Sequence, residues 1–165
     1  MSKRFNLREF QQTVLDRLQA QVAGGSDHAS TLGVLVGEEY WLVDMADISE
    51  VLPLPPLTQV PLTKPWYCGV ANVRGNLYSI VDTGVYMGGV ATSREGTSRV
   101  LLAGHKFAFN AGLLVSRVLG LRNSKDWERE ERDGEVHLRD ASGQLWRKLD
   151  LAQLLHQPEF LQIGA

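Results

Sequence analysis

The sequence predicts a mainly β protein in which two small β-barrels pack together, with an amphipathic helix before them and a short helix after them. Three observations carry this prediction. Short apolar runs of strand length fill the middle of the chain, between glycine, proline and polar residues. These runs fall into two groups on either side of the glycine-containing stretch 84–97. Helical periodicity occurs only near the two ends of the chain.

Residues 5–22 have the periodicity of an amphipathic helix. Apolar residues recur on one face of it, at Leu7, Phe10, Val14, Leu18 and Val22. Gly24 and Gly25 end the pattern, and a polar linker follows. Two roles remain open for the apolar stripe: docking on the protein's own barrels, or binding a partner or a second copy. We therefore treat residues 1–30, the helix and its linker, as one unit, the N-terminal segment.

The first group of strands is marked by hairpin chemistry. Apolar runs at 32–36 and 40–45 flank a turn at 37–39, and 48–52 forms a further extended piece. Five of the six prolines then fall between residues 53 and 65. Because proline lacks the N–H that a strand ladder needs, this stretch is predicted to be a loop or a sheet edge.

The second group contains four apolar runs of strand length, at 100–103, 106–115, 118–121 and 145–149. A run of charges with alternating sign at 125–135 predicts a solvated loop between them. After the last strand, Asp150 is a suitable N-cap for a short helix with leucines on one face. Pro158 is expected to end or kink that helix, which leaves 158–165 as a C-terminal tail.

A hairpin between Cys68 and Asp82 is the most informative stretch. Its turn reads Asn72-Val73-Arg74-Gly75-Asn76, and Gly75 and Asn76 tolerate the positive φ of a tight hairpin. The turn presents the guanidinium of Arg74 between two apolar strands. Two interpretations stay open: a solvated turn charge that contributes little, or an interface anchor that uses a planar fork of donors.

The motifs around this hairpin resemble those of the CheW family, the adaptors that link chemoreceptors to a histidine kinase. The pattern Gly69-Val70-x-Asn72-x-Arg74-Gly75 is followed by an apolar strand that closes on Asp82. Neighbouring blocks match in the same order, at 48–52, 60–61, 65–66 and 112–119. Terminal blocks are similar to the PilI branch, which serves type IV pilus (twitching) chemosensory systems: 6–10, 146–151 and 160–161.

The resemblance implies a CheW-like domain at 31–157, built from two five-stranded barrels around a shared apolar seam. It also implies a non-enzymatic scaffold that couples a chemoreceptor to a CheA-type histidine kinase. The implied partners are the regulatory domain of that kinase and the cytoplasmic tip of a methyl-accepting chemoreceptor. The protein would then be cytoplasmic and recruited to membrane-associated receptor complexes.

Partner-binding residues follow from the same resemblance. Arg74, with Asn72 and Gly75 setting the hairpin, would engage the tip of the receptor coiled coil. The other implied positions lie on a partner-facing surface, in the hairpin strand or along the groove between the barrels: Ile48, Glu50, Gly69, Val115 and Val118. Core packing is the competing interpretation for the three β-branched residues, and a strand bend is the competing one for the glycine. The glutamate is expected to be exposed.

Composition argues against other classes of protein. Seventeen basic and nineteen acidic residues give a net charge of −2, whereas a nucleic-acid-binding domain is usually basic. The alternative, a small barrel that binds nucleic acid or a ligand, finds aromatic residues here but no clustered basic groove. No run approaches 18 apolar residues, which predicts no insertion into a membrane, and no secretory signal is recognisable.

An enzyme is also not indicated. Cys68, the single cysteine, begins an apolar strand, where a free cysteine is usually a small buried hydrophobe. None of the four histidines has a second candidate ligand at metal spacing. We therefore predict no catalytic residue, no metal and no cofactor.

Overall fold

A computed structural model describes residues 31–94, 96–107 and 109–164, so the N-terminal segment and its predicted helix lie outside the described residues. The described chain is mainly β, as predicted. In chain order its strands are β1 (Thr31–Val36), β2 (Glu39–Asp44), β3 (Ile48–Leu52), β4 (Tyr67–Val73), β5 (Asn76–Asp82), β6 (Arg99–Ala103), β7 (Ala111–Val115), β8 (Arg117–Arg122), β9 (Glu128–Arg132), β10 (Glu135–Arg139) and β11 (Leu145–Leu149). The short helices are α1 (Thr83–Tyr86), α2 (Leu151–Leu155) and α3 (Pro158–Leu161).

These strands form two sheets. Sheet A has six strands in the order β8-β1-β2-β11-β10-β9, and sheet B has five in the order β3-β6-β7-β5-β4. The expected five strands are found in sheet B, and sheet A has one more, β9. The prediction of a loop at 125–135 is wrong, because β9 lies within this stretch. It pairs with β10, and Glu130 lies opposite His137. Charged side chains suit this strand because it is the exposed edge of the sheet.

The predicted division of the strands at 84–97 is also wrong. Strands β5 and β6, which flank that stretch, both pair with β7 in sheet B, the first in parallel and the second antiparallel. Sheet A instead combines the first two strands of the chain with the last four, through the parallel pair of β2 and β11. Strand β7 begins at Ala111 and not at residue 106, because Phe107 donates its N–H to the Gly104 carbonyl in a turn.

A shared apolar seam joins the two sheets, as the resemblance implied. Its buried side chains come from both, including Val34 and Val43 of sheet A and Val81, Leu101 and Leu113 of sheet B. A second buried cluster fills the interior of sheet B, with Cys68, Ala71, Tyr78, Ile80, Val100, Leu102 and Leu114. Both faces of sheet B are therefore packed against buried side chains, which holds its strands in fixed positions.

The C-terminal helices cover one end of the seam. Asp150 caps α2 as predicted, and its Oδ1 accepts from the Gln153 N–H at 3.1 Å. Pro158, which was predicted to end or kink the helix, is also the first residue of α3. A proline is well tolerated there, because the N–H of the first helical residue has no acceptor within the helix. Phe160 of α3 is buried and stacks on Trp66 with ring centroids 5.8 Å apart.

Candidate partner-binding site

The β4–β5 hairpin turns through two residues, Arg74 and Gly75. Their φ angles are +53° and +84°, and positive φ at both central residues is the pattern of a type I′ turn. The prediction that Asn76 would take a positive φ is wrong, since Asn76 belongs to β5 and pairs with Val73. The Asn72 Oδ1 accepts from the Gly75 N–H at 2.9 Å, so the side chain of Asn72 holds the turn closed.

Arginine is an unfavourable residue for this turn. Asparagine, aspartate and glycine dominate type I′ turns because they tolerate positive φ, whereas other residues lose roughly 1 kcal/mol in the left-handed region. Backbone strain of this kind concentrates at functional positions. The side chain of Arg74 makes an ion pair that can offset this cost.

Arg74 forms an ion pair with Glu50 of β3. The Arg74 Nη2 donates to the Glu50 Oε1 at 2.6 Å. Because β3 and β4 are the two edges of sheet B, this contact shows that the sheet curls until its edges meet at the hairpin. The curl also buries Glu50, whose side chain is 9% exposed, and the prediction that Glu50 is exposed is wrong.

The guanidinium remains accessible after this pairing. The side chain of Arg74 is 43% exposed, and Glu50 is its one hydrogen-bond acceptor among the described residues. A cavity of about 270 Å³ beside it is bordered by Ser49, Tyr78 and His105. A guanidinium fixed on one side and open on the other can donate to a carboxylate or carbonyl of an incoming chain.

Leu77 was missed by the sequence reasoning. Its side chain is 62% exposed on β5, three residues after Arg74. The alternation of β5 places Leu77 on the same face as Val81, which is buried, so nothing in the pattern distinguished the two. Leu77 lies on the face of β5 opposite Asn76 and Tyr78, which border the cavity beside Arg74, so it is a separate exposed apolar residue near the hairpin turn.

Two residues implied by the resemblance are buried. Ile48 and Val115 are 2% and 0% exposed and belong to the seam, and Val118 is half-buried against it. The structure thus brings Arg74, Gly75, Asn72 and Glu50 together at one hairpin. It places Ile48 and Val115 in the buried seam, where they pack between the sheets.

Gly69 has a structural reason to be glycine. It lies at a break in the β4–β5 register with φ +139°, and a Cβ there would be 2.6 Å from the Thr58 carbonyl oxygen. Thr58 and Val70 exchange two backbone hydrogen bonds, of 2.8 and 2.9 Å, which fasten the proline-containing loop to β4. The competing interpretation of Gly69, a strand bend, fits this geometry.

Metal binding, nucleophilic catalysis and membrane insertion were also considered for residues 31–94, 96–107 and 109–164. Those ranges contain no group of three or more histidine, cysteine, aspartate or glutamate residues that could hold a metal ion. Burial raises the pKa of the Cys68 thiol, which makes it a weak nucleophile. In the same ranges no helix is long and apolar enough to cross a membrane.

Comparison with known proteins identifies the family. The CheW-like domain matches residues 30–159 of this chain. The chain belongs to the CheW-like domain family. The motif that carried the resemblance, with Arg74 in the hairpin turn, therefore lies in a CheW-like domain.

Two named proteins are similar to part of this chain. Protein PilI of Pseudomonas aeruginosa is 37% identical over 94 residues, which are 57% of this chain and 52% of that protein. Chemotaxis protein CheW of Helicobacter pylori is 26% identical over 87 residues, 53% of this chain and 52% of that protein. The chain spans about half the length of the curated relatives it matches.

The fold of the CheW-like domain is seen in a solved structure. The scaffolding protein TtCheW from Thermoanaerobacter tengcongensis superposes with a TM-score of 0.66, over 79% of this chain and 94% of that one. The two sequences are 18% identical. The arrangement of two sheets is therefore that of a CheW-like domain.

Proposed function

We propose that this protein is a non-enzymatic adaptor that couples a chemoreceptor to a CheA-type histidine kinase in a pathway controlling type IV pili. Its place in the CheW-like domain family supports the adaptor role. The names of its relatives, a chemotaxis protein and a scaffolding protein, support the same role. The similarity to PilI supports the pilus pathway.

The arrangement of Arg74 is the observation that carries this proposal. The protein holds an arginine in a turn that disfavours it, orients it with a buried glutamate and leaves it exposed. Arginine is enriched among the few residues that dominate binding energy at interfaces. We assign to Arg74 the contact with the cytoplasmic tip of a receptor coiled coil.

The other residues of the hairpin have supporting roles in this proposal. Asn72 and Gly75 set the turn, and Glu50 orients the guanidinium. Ile48, Val115 and Val118 act through the seam that fixes β3, β7 and β8, and Gly69 keeps β4 against its loop. The regulatory domain of the kinase would use a surface away from the hairpin, so that both partners are held at once. Such an adaptor works in the cytoplasm, at membrane-associated receptor complexes.

The direct test is simultaneous binding. The purified protein is titrated into the regulatory domain of a CheA-type kinase and into a receptor-tip fragment, separately and together, by calorimetry and analytical ultracentrifugation. We expect saturable binding to each partner and a ternary complex when all three are mixed. Competition between the partners for one site, or binding to neither, would contradict the adaptor role.

A further inference from the structure

The proline-containing loop between β3 and β4 makes no partner contact in the adaptor role proposed above. Five of the six prolines of the protein lie in it, at 53–65. No charged residue occurs at 51–63, although charged residues make up 22% of the chain. The centre of a protein–protein interface is depleted in charge in the same way. The loop is therefore examined as a binding surface of its own.

The local chemistry of 53–57 favours the polyproline II conformation. Pro53, Pro55 and Pro56 each fix φ at about −65°. The residue before a proline is restricted to extended ψ, which applies to Leu54 and to Pro55 itself. In agreement, 53–57 contains neither helix nor strand, and none of its φ angles is positive. Its backbone carbonyls accept no hydrogen bond from the described residues, which is the solvated backbone of a polyproline II helix.

Exposure along 53–57 follows the three-residue repeat of that helix. Leu54 and Leu57 are half-buried and pack against the buried cluster inside sheet B. Pro53 and Pro56 are exposed. Because a polyproline II helix has three residues per turn, the two leucines share its inner face and the two prolines share its outer face, one turn or roughly 9 Å apart. We call these two exposed prolines the proline ridge.

The proline ridge is held in place at both ends. Leu52, directly before it, pairs with Val100 in sheet B. Thr58, directly after 53–57, exchanges backbone hydrogen bonds of 2.8 and 2.9 Å with Val70 of β4. A segment that is fixed in its bound conformation loses little conformational entropy when a partner binds. The ridge is thus preorganised for binding.

We propose that the proline ridge binds the aromatic-lined groove of a partner domain that recognises Pro-x-x-Pro segments. Such grooves accept prolines that are presented on a preformed polyproline II helix. Their aromatic rings pack on the rings of Pro53 and Pro56, and their tyrosine or tryptophan donors bond to the unpaired carbonyls of 53–57. The ridge lies outside the β4–β5 hairpin, so this contact does not depend on the receptor contact assigned to Arg74.

Titration of the full chain with a purified SH3 domain and, separately, with a purified WW domain tests the proposal. Both domains have grooves of the required kind. NMR spectra of the ¹⁵N-labelled full chain report the contact. We expect saturable binding of at least one domain, with the largest shifts at the N–H signals of Leu54 and Leu57, which lie between and beside the two prolines. Pro53→Ala and Pro56→Ala should each weaken binding about 10-fold while the spectrum stays that of a folded protein.

Two variants in the same loop serve as matched controls. Pro61→Ala removes another exposed proline, which lies outside the ridge. Leu62→Ser removes an apolar side chain that is 85% exposed. Neither should change the affinity. Binding of neither domain would overturn the proposal and leave the prolines as a means of stiffening the loop. An equal loss of affinity in Pro61→Ala or Leu62→Ser would overturn it in favour of non-specific apolar contact.

Discussion

Arg74 and Glu50 act as one unit at the scale of single residues. The turn disfavours arginine, yet the ion pair at 2.6 Å neutralises a glutamate that the curled sheet has buried. Removing Arg74 alone therefore has two opposite effects. The loss of arginine relieves the backbone, but it leaves a buried carboxylate without its cation.

A double-mutant cycle separates these effects. We expect Arg74→Asn to lower the free energy of unfolding by about 1 kcal/mol, because the penalty of an unpaired buried charge exceeds the relief of strain. The variant with both Arg74→Asn and Glu50→Gln should be at least as stable as the wild type, since asparagine suits the turn and no charge is buried. Urea denaturation measures both. A double variant as unstable as the single one would contradict this explanation.

Asp140 gives a prediction about pH. Its carboxylate accepts from the Ser142 hydroxyl at 2.7 Å, and also from the Gln144 N–H and the Trp146 indole N–H, both at 2.9 Å. The hydrogen bonds from Ser142 and Trp146 lower the pKa of Asp140 from 3.8 to about 2. The stabilisation is therefore complete above pH 3.8 and is lost as the pH falls through about 2.

Asp140→Asn tests that prediction. The difference in melting temperature between the wild type and this variant should be constant above about pH 5 and should shrink steadily from about pH 4 to about pH 2. Differential scanning calorimetry in matched buffers measures it. A difference that does not change over this range would show that the charge of Asp140 does not stabilise the fold.

At the scale of elements, the strands, turns and caps that depend on local sequence patterns were predictable. Which strand pairs with which was not. The β4–β5 hairpin and the α2 cap follow from Asn72, Gly75 and Asp150, which act within a few residues. The pairing of Arg74 with Glu50 joins residues 24 positions apart, and no local pattern announces it. The charges of β9 suited both a solvated loop and an edge strand, and pairing with β10 decided between them.

The fastening of β4 to its loop predicts the effect of a small substitution. Gly69→Ala should lower the free energy of unfolding by about 2 kcal/mol or more, because its Cβ meets the Thr58 carbonyl and φ is +139°. Gly37→Ala is the matched control: φ is +62° there, but no atom lies within 4 Å of the added Cβ, so about 1 kcal/mol is expected. Equal losses in the two variants, measured in urea, would argue against the close approach of Thr58.

At the scale of the whole molecule, the sequence predicted the class of fold and its family, but not how the strands are shared between the sheets. The stretch 84–97 looks like a boundary because it is rich in glycine and polar residues. It is a connection within sheet B, since β5 and β6 both pair with β7. Parallel pairs such as β2 with β11 join distant parts of the chain, and local patterns do not encode them.

The last helix, α3, fastens the C-terminal end to the middle of the chain, which gives a prediction for the whole fold. Phe160 stacks on Trp66 and meets Tyr86 edge-on with centroids 5.4 Å apart. Phe160→Ala should therefore lower the free energy of unfolding by about 3 kcal/mol, which is about 10 °C in melting temperature. Leu161→Ala, at a neighbouring residue that is 51% exposed, should change it little. Similar losses in both variants would contradict this role of α3.

The affinity of the Arg74→Asn/Glu50→Gln variant for a receptor-tip fragment tests the central claim most directly. Calorimetric titration compares it with the wild type, and the regulatory domain of the kinase serves as the second ligand. We predict a folded variant that binds the receptor fragment roughly 30-fold more weakly, about 2 kcal/mol, and binds the kinase domain as the wild type does. A variant with wild-type affinity for both partners would contradict the assignment of Arg74 as the receptor contact.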